Sequence, residues 1–317
     1  MKVIALLVYS LALAAASPSS TSWELFKAQH GRHYLDVREE RYRQCVFEKN
    51  QQFINDFNEK FERGEVTYSL KMNQFGDMTN EEFNAMKGSR RTPRYVLSMK
   101  EREDSPQAAE VDWREAGAVN PVIDQGQLGA SWTFSATGAL EGQHFTKTGN
   151  LLKLSEQQLL DCMDDYFGSV INAFIYVEVN GGINTADTYP NGPSDGTCRY
   201  DDTEIGATCN GYVLIESGSE SALHTAIRDV GPISVGIDAS QLSFQFYSSG
   251  VYYESACSSD LIDHDMLNVG YGTENGQDYW IVKNSWGTGW GESGYIRMAR
   301  NRDNNCGIAS DASYPIS

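Results

Sequence analysis

The chain has 317 residues, 11% aromatic and 21% charged, which suits a water-soluble globular protein of one large or two modest domains. Charge is uneven: residues 17–108 carry 15 acidic and 15 basic side chains, residues 109–317 carry 28 and 9. An acidic excess of that size over the second portion repels nucleic acid and anionic lipid, so neither is an expected partner.

The amino-terminal residues read as a secretory signal. Lys2 precedes an apolar run, Val3 to Leu13, and Ala14-Ala15-Ala16 offers a small-residue cleavage site. The run is too short to span a bilayer. This places residues 1–16 in a signal peptide and sends the chain into the secretory pathway, to be secreted or delivered to a lysosome-like compartment. Next, Glu39 to Asn58 lacks Gly and Pro, and Phe47, Ile54, Phe57 and Phe61 recur at helical spacing, as on one face. Gly88 to Ala109 is rich in charge, Pro and Ser and reads as an exposed linker. Ser131 to Gly149 reads as a helix that stops at Gly149-Asn150, and Ser155 is placed to cap a following helix. Beyond about Gly206 short strands take over, at 233–237, 266–271 and 279–283, between glycine-rich turns. Helices followed by strands predict an α+β protein.

Two sets of residues carry a family resemblance. Glu39, Arg43, Phe47, Asn50, Ile54 and Asn58 form E-x3-R-x3-F-x2-N-x3-I-x3-N, which resembles the ERFNIN signature of cathepsin L-type propeptides at all six positions. Asn73, Phe75 and Asp77 resemble the second propeptide motif, G-x-N-x-F-x-D, with Lys71 where its first glycine stands. Val111-Asp112-Trp113-Arg114 resembles the start of the mature protein in that family. Gln125-Gly126-Gln127-Leu128-Gly129-Ala130-Ser131-Trp132 resembles the nucleophile cassette of papain-like cysteine proteases, Q-G-x-C-G-S-C-W, with Leu128 and Ser131 at the two cysteine positions. The resemblance implies a cathepsin L-like preproprotein with a signal peptide over 1–16, an inhibitory propeptide over 17–109 and a papain-like two-domain body over 110–317. One domain of the body is expected to be helical and the other β-barrel-like, with a cleft between them.

By the same resemblance Ser131 stands in the nucleophile position, His264 is the base, Asn284 orients it, Trp286 shields their hydrogen bond, and Gln125 is the oxyanion donor. No cofactor or metal is expected, and no C-x-x-C or His-rich spacing suggests zinc. The six cysteines suit disulfides in a secreted chain. The resemblance pairs Cys162 with Cys198 and Cys257 with Cys306, leaving Cys45 and Cys209 without an assigned partner.

The departures gather at the cleft. The family's G-C-x-G-G after Asp161-Cys162 is replaced by a shorter stretch, Met163 to Ala173, without the Cys or the Gly pair. Leu128 and this stretch are the two halves of one missing disulfide. Asp265 follows His264 where the family has Gly or Ala; it either supplies negative charge to the base or points to solvent or crowds the cleft. A cysteine with a pKa of about 8.5 is brought to roughly 3–4 by an imidazolium and a helix N-terminus. A serine hydroxyl is a far weaker acid, so the same surroundings leave it protonated. The expected protein is an impaired peptidase homologue that binds peptides, proteases or inhibitors alongside its own propeptide, as a monomer. The alternatives are a slow Ser-His-Asn hydrolase of peptides or esters, or a cysteine-type endopeptidase as ancestry suggests.

Overall fold

The computed structural model describes residues 18–87, 108–126, 129–163, 168–192 and 197–317. The proposed signal segment, most of the linker, Leu128 and residues 164–167 of the shortened stretch lie outside the described residues. In chain order the elements are α1 (Pro18–His30), α2 (Val37–Glu62), β1 (Tyr68–Leu70), α3 (Asn80–Met86), β2 (Val111–Asp112), α4 (Ser131–Thr148), α5 (Glu156–Cys162), α6 (Val170–Asn180), β3 (Ile183–Asn184), β4 (Ile205–Ala207), β5 (Tyr212–Leu214), α7 (Glu220–Asp229), β6 (Ile233–Ile237), α8 (Leu242–Gln245), β7 (Tyr247–Tyr252), β8 (His264–Glu274), β9 (Gln277–Lys283), β10 (Tyr295–Ala299) and β11 (Asp311–Pro315).

The amino-terminal helices explain the first motif. Asp36 caps α2 by accepting from the Arg38 N–H, and Glu39 and Glu40 in the first turn favour the positive end of the helix. Phe47, Asn50 and Ile54 are buried, whereas Phe57 is half-buried and Phe61 is 39% exposed, so the expected apolar face thins out towards the end of α2. Asn50 donates to the Gly76 and Met78 carbonyls, and Asn58 both donates to the Leu70 carbonyl and accepts from the Leu70 N–H. The motif's asparagines therefore fasten α2 to the returning chain. Asp77 closes a polar cluster with Tyr34 and Arg32, beside an Arg43–Glu82 ion pair of 2.7 Å.

The body has two layers of different kind. Nine strands form one sheet in the order β1-β7-β10-β9-β8-β6-β11-β5, with β2 paired to β8. Its core holds Val235, Phe244, Trp280, Trp286 and Trp290. A second core, around Trp132, Leu140, Leu159, Phe174 and Val177, draws its buried residues only from after 131, whereas the first also takes in Ile54, Tyr68, Leu70, Phe75 and Phe83 of the amino-terminal region. Helix α4 runs as the sequence predicts and ends where Gly149 turns left-handed at φ 77°. Ser155 caps α5, accepting from the Gln158 N–H at 3.0 Å. Strands β8 and β9 extend further than predicted, because antiparallel pairing from Leu267–Lys283 to Glu274–Gln277 carries them into the connecting turn. Disulfides join Cys162 to Cys198 and Cys257 to Cys306, while Cys45 and Cys209 are free thiols.

Candidate active site

Ser131 is the first residue of α4; Ala130 is the N-cap and offers no side-chain cap. The Ser131 hydroxyl therefore stands at the positive end of the helix and is not used to cap it. Its Oγ accepts from the Asp265 N–H at 3.3 Å, which brings the start of α4 against the start of β8. Close packing holds the two together. Gly138 and Gly142 on α4 leave room for Leu267 and Pro232, and Ser135 donates to the Met266 carbonyl at 2.6 Å.

His264 opens β8 and is fully buried. Its Nε2 lies 2.8 Å from Asn284 Oδ1. That oxygen also accepts from the Ser285 N–H at 2.8 Å, and only an acceptor can meet a backbone N–H. The orientation of the Asn284 amide is thus fixed, so Nε2 carries the ring proton. In the neutral ring Nδ1 is then the nitrogen with a lone pair. Trp286 stacks on the imidazole with ring centroids 4.5 Å apart and an interplanar angle of 29°, and is itself 1% exposed. Gln125 is buried, its N–H donates to the Ser285 carbonyl at 2.8 Å, and its Oε1 accepts from the Ser285 hydroxyl. With Oε1 engaged, the amide N–H2 is the end available to an oxyanion. The structure thus places Gln125, Asn284, Ser285, Trp286 and His264 in one hydrogen-bonded and stacked group, with Ser131 joined to it through Asp265.

The Asp265 side chain is buried on the face of β8 shared with its register partner Gly236. Pointing to solvent is excluded, since the residue is only 3% exposed. The shortened stretch meets the site at Gly168, where a Cβ would lie 1.9 Å from the Trp132 indole. That position admits only glycine.

Several partners were not legible in the sequence. Phe75 and Phe83 of the amino-terminal region pack edge-on against Trp286, at 5.4 and 5.2 Å. Gln74 donates to the Trp286 carbonyl at 2.7 Å. The one available signal was the capping box Thr79-x-x-Glu82, which starts α3 and so positions Phe83. Behind Asn284, a cavity of about 20 Å³, room for one water, is lined by Glu141, Lys153, Glu156 and Lys283. Burial there pulls the Lys283 amine down to about 8, against the opposing pull of Glu141.

Among the described residues, no group of His, Cys, Asp and Glu is arranged to hold a metal ion. No helix among them is long and apolar enough to cross a membrane.

Comparison with known proteins agrees with this geometry. Residues 107–316 match the papain family cysteine protease profile, and residues 23–83 match the cathepsin propeptide inhibitor domain. Digestive cysteine proteinase 1 of Homarus americanus is 59% identical over 323 residues, covering 99% of each chain. A cathepsin L-like peptidase of Aedes aegypti is 47% identical over the full length of both. The digestive procathepsin L 3 of Tenebrio molitor larval midgut superposes with a TM-score of 0.87 at 45% identity, over 95% of this chain and 100% of that one. The chain therefore belongs to the papain family of cysteine proteases, as a cathepsin L-like member that carries its own propeptide inhibitor domain on a papain-like α+β body.

Proposed function

We propose that this cathepsin L-like peptidase homologue keeps the family's peptide-binding cleft but has lost its thiol chemistry, because Ser131 stands in the nucleophile position. In this reading His264 is the base, Asn284 orients it, and Gln125 donates to the oxyanion together with the Ser131 N–H. The supporting observation is the pairing of Asn284 Oδ1 with both His264 Nε2 and the Ser285 N–H. It leaves Nδ1 able to take a proton but supplies no negative charge to the imidazolium that would result.

The magnitude follows from serine proteases. Replacing their buried carboxylate by an amide lowers kcat by about 10⁴-fold, partly because the imidazole then takes the wrong tautomer. Here the tautomer is the useful one, so the loss relative to a working triad falls short of that figure. A slow Ser-His-Asn hydrolase is accordingly the second reading, and the Asp265 N–H bond to Ser131 Oγ favours it by holding the hydroxyl against the start of β8, the strand that His264 opens. The chain is proposed to enter the secretory pathway, on the strength of the apolar run from Val3 to Leu13. It is proposed to act on, or bind, peptide segments of proteins.

The test is hydrolysis of a Phe-Arg fluorogenic peptide at pH 5–6 by propeptide-free protein. The expected result is no E-64-sensitive turnover. Turnover at the rates of ordinary cathepsins would overturn the impaired reading. Ser131→Cys is expected to restore E-64-sensitive cleavage; continued silence in that variant would locate a further defect in the stretch after Cys162.

A further inference from the structure

Asp265 brings a buried carboxyl up to the nucleophile position. Its N–H donates to Ser131 Oγ at 3.3 Å, so the residue touches the atom from which an attack would start. Successive side chains of a strand point to opposite faces. On β8, Leu267 and Val269 pack into the second core, which includes α4, whereas Met266 packs into the first and His264 stacks on Trp286. Asp265 stands two residues before Leu267. It therefore shares the face that meets α4 and Ser131, and the imidazole lies on the other face. Its register partner on β6, Gly236, leaves room for the carboxyl. A Cβ on that glycine would lie 3.7 Å from Asp265 Oδ1 and 3.3 Å from Asp311 Cβ.

The other charges around this face do not offset that carboxyl. Lys283 of β9, opposite Leu267, lines the cavity behind Asn284 together with Glu141 of α4, Glu156 of α5 and Lys153, so the two signs balance there. Asp311 of β11, opposite Gly236, adds a second carboxyl one strand beyond Asp265. Before β8, Asp263 is paired with Lys87 at 2.6 Å. An anion at position 131 would thus be favoured by His264 and by the positive end of α4, and opposed by Asp265 on its own face.

We infer that Asp265 is a charge set against an anionic nucleophile, so that the site suits the neutral hydroxyl of Ser131 and a thiol placed there regains only part of its reactivity. The inference rests on the reading that Ser131 stands in the nucleophile position. It adds a second residue that acts in the same direction as the lost sulfur. A hydroxyl stays uncharged until its proton leaves in the reaction itself, whereas a resting thiolate is opposed by the carboxylate throughout. The imidazolium gains from the same carboxylate, but from the opposite face of the strand, so repulsion at position 131 is the larger effect. Like unit charges about 7 Å apart, at an effective dielectric constant of about 20, shift an ionisation by between about one and two pH units. With the imidazolium's gain set against it, a shift of about one unit is expected, which is tenfold in thiolate at acid pH.

The test is a pH titration of ultraviolet thiolate absorbance in the full-length chain, read at once after each change of pH, before the chain can cut itself. Each protein with Ser131→Cys is measured against its counterpart that keeps the serine, so Cys45 and Cys209 cancel. The measurement needs neither a substrate nor access to the cleft. Adding Asp265→Asn to Ser131→Cys is expected to lower the pH of half-ionisation by about one unit, and adding Asp265→Glu to leave it nearly unchanged. Adding His264→Gln is expected to raise it, by removing the imidazolium. If Asp265→Asn does not fold, Asp265→Gly, a residue the family carries there, makes the same comparison. A half-ionisation that depends on His264 but is unchanged or raised by loss of the Asp265 carboxyl overturns the role of Asp265 alone. A thiol that ionises alike with and without His264 overturns the nucleophile reading, and this inference with it.

Discussion

At the scale of single residues, one oxygen does most to define this site. Asn284 Oδ1 receives two donors, and that double acceptance selects the imidazole tautomer. Its neighbour in sequence faces the opposite problem. Lys283 is drawn into the cavity behind the site, where burial lowers its pKa to about 8 from 10.5 in the unfolded chain. For a lysine with a lowered folded pKa, the folded state gives up its proton first as pH rises. The cost of burying the charge is present in full below pH 8 and fades between pH 8 and 10.5, so this residue makes the fold more stable as pH rises through that window. Lys283→Met is expected to raise stability near pH 6.5 by roughly 1–3 kcal/mol, and by clearly less at pH 9.5. Thermal melts of both proteins at the two pH values measure this. An equal gain at both would show that the charge is not what is relieved.

At the scale of elements, the site exists because α4 can lie close against the sheet. Two glycines make the approach possible, and they differ in what faces them. A Cβ on Gly138 would lie 2.7 Å from Leu267 Cδ2, the end of a side chain that can turn away. A Cβ on Gly142 would lie 2.7 Å from Pro232 Cδ, part of a rigid ring. Alanine gains about 1 kcal/mol over glycine inside a helix, whereas overpacking costs typically 1–3 kcal/mol. Gly142→Ala is therefore expected to lower Tm by a few degrees, and Gly138→Ala to leave it nearly unchanged. Equal effects would remove the distinction drawn from Pro232. Elements were legible in the sequence where their signals are local. The stop at Gly149, the cap at Ser155 and the face of α2 from Phe47 to Ile54 depend on neighbours within a turn or two. The motif residues His264, Asn284 and Trp286 were found for the same reason, each within a recognisable run. What escaped was long-range. Strand β1 is three residues long and is a strand only because it pairs with β7, Tyr68 opposite Gly250. Phe83 reads as an ordinary helix residue until its ring meets Trp286. The Ser285 hydroxyl that occupies Gln125 Oε1 comes from 160 residues away.

At the scale of the whole molecule, the propeptide and the acidic body form a single sheet and share a core, so release of one from the other is a partial unfolding. Acid favours that release through identifiable groups. Burial pushes the Glu82 carboxyl up, but bonds from Arg43 and the Thr79 N–H outweigh it and hold it below its ordinary value. A carboxyl with a lowered folded pKa contributes stability above its unfolded value of about 4.5 and loses it as pH falls through the folded value. Arg43 links α2 to α3 through this carboxyl, so protonation loosens the helix that carries Phe83 and Lys87 onto the cleft. Loosening exposes the chain to cutting, and on the proposed reading it supplies no thiol to do the cutting. Full-length protein held at pH 4 for hours is therefore expected to remain intact on a gel, at high concentration as well as low. The Ser131→Cys chain under the same conditions is expected to shorten to the body, with new amino termini between Gly88 and Glu110. A trace of added acid protease is expected to make the same cut in the Ser131 protein, and faster at pH 4 than at pH 6, because the propeptide is loosened whatever stands at position 131. Self-conversion of the unsubstituted chain at the rate of Ser131→Cys would show that the hydroxyl performs the family's chemistry after all.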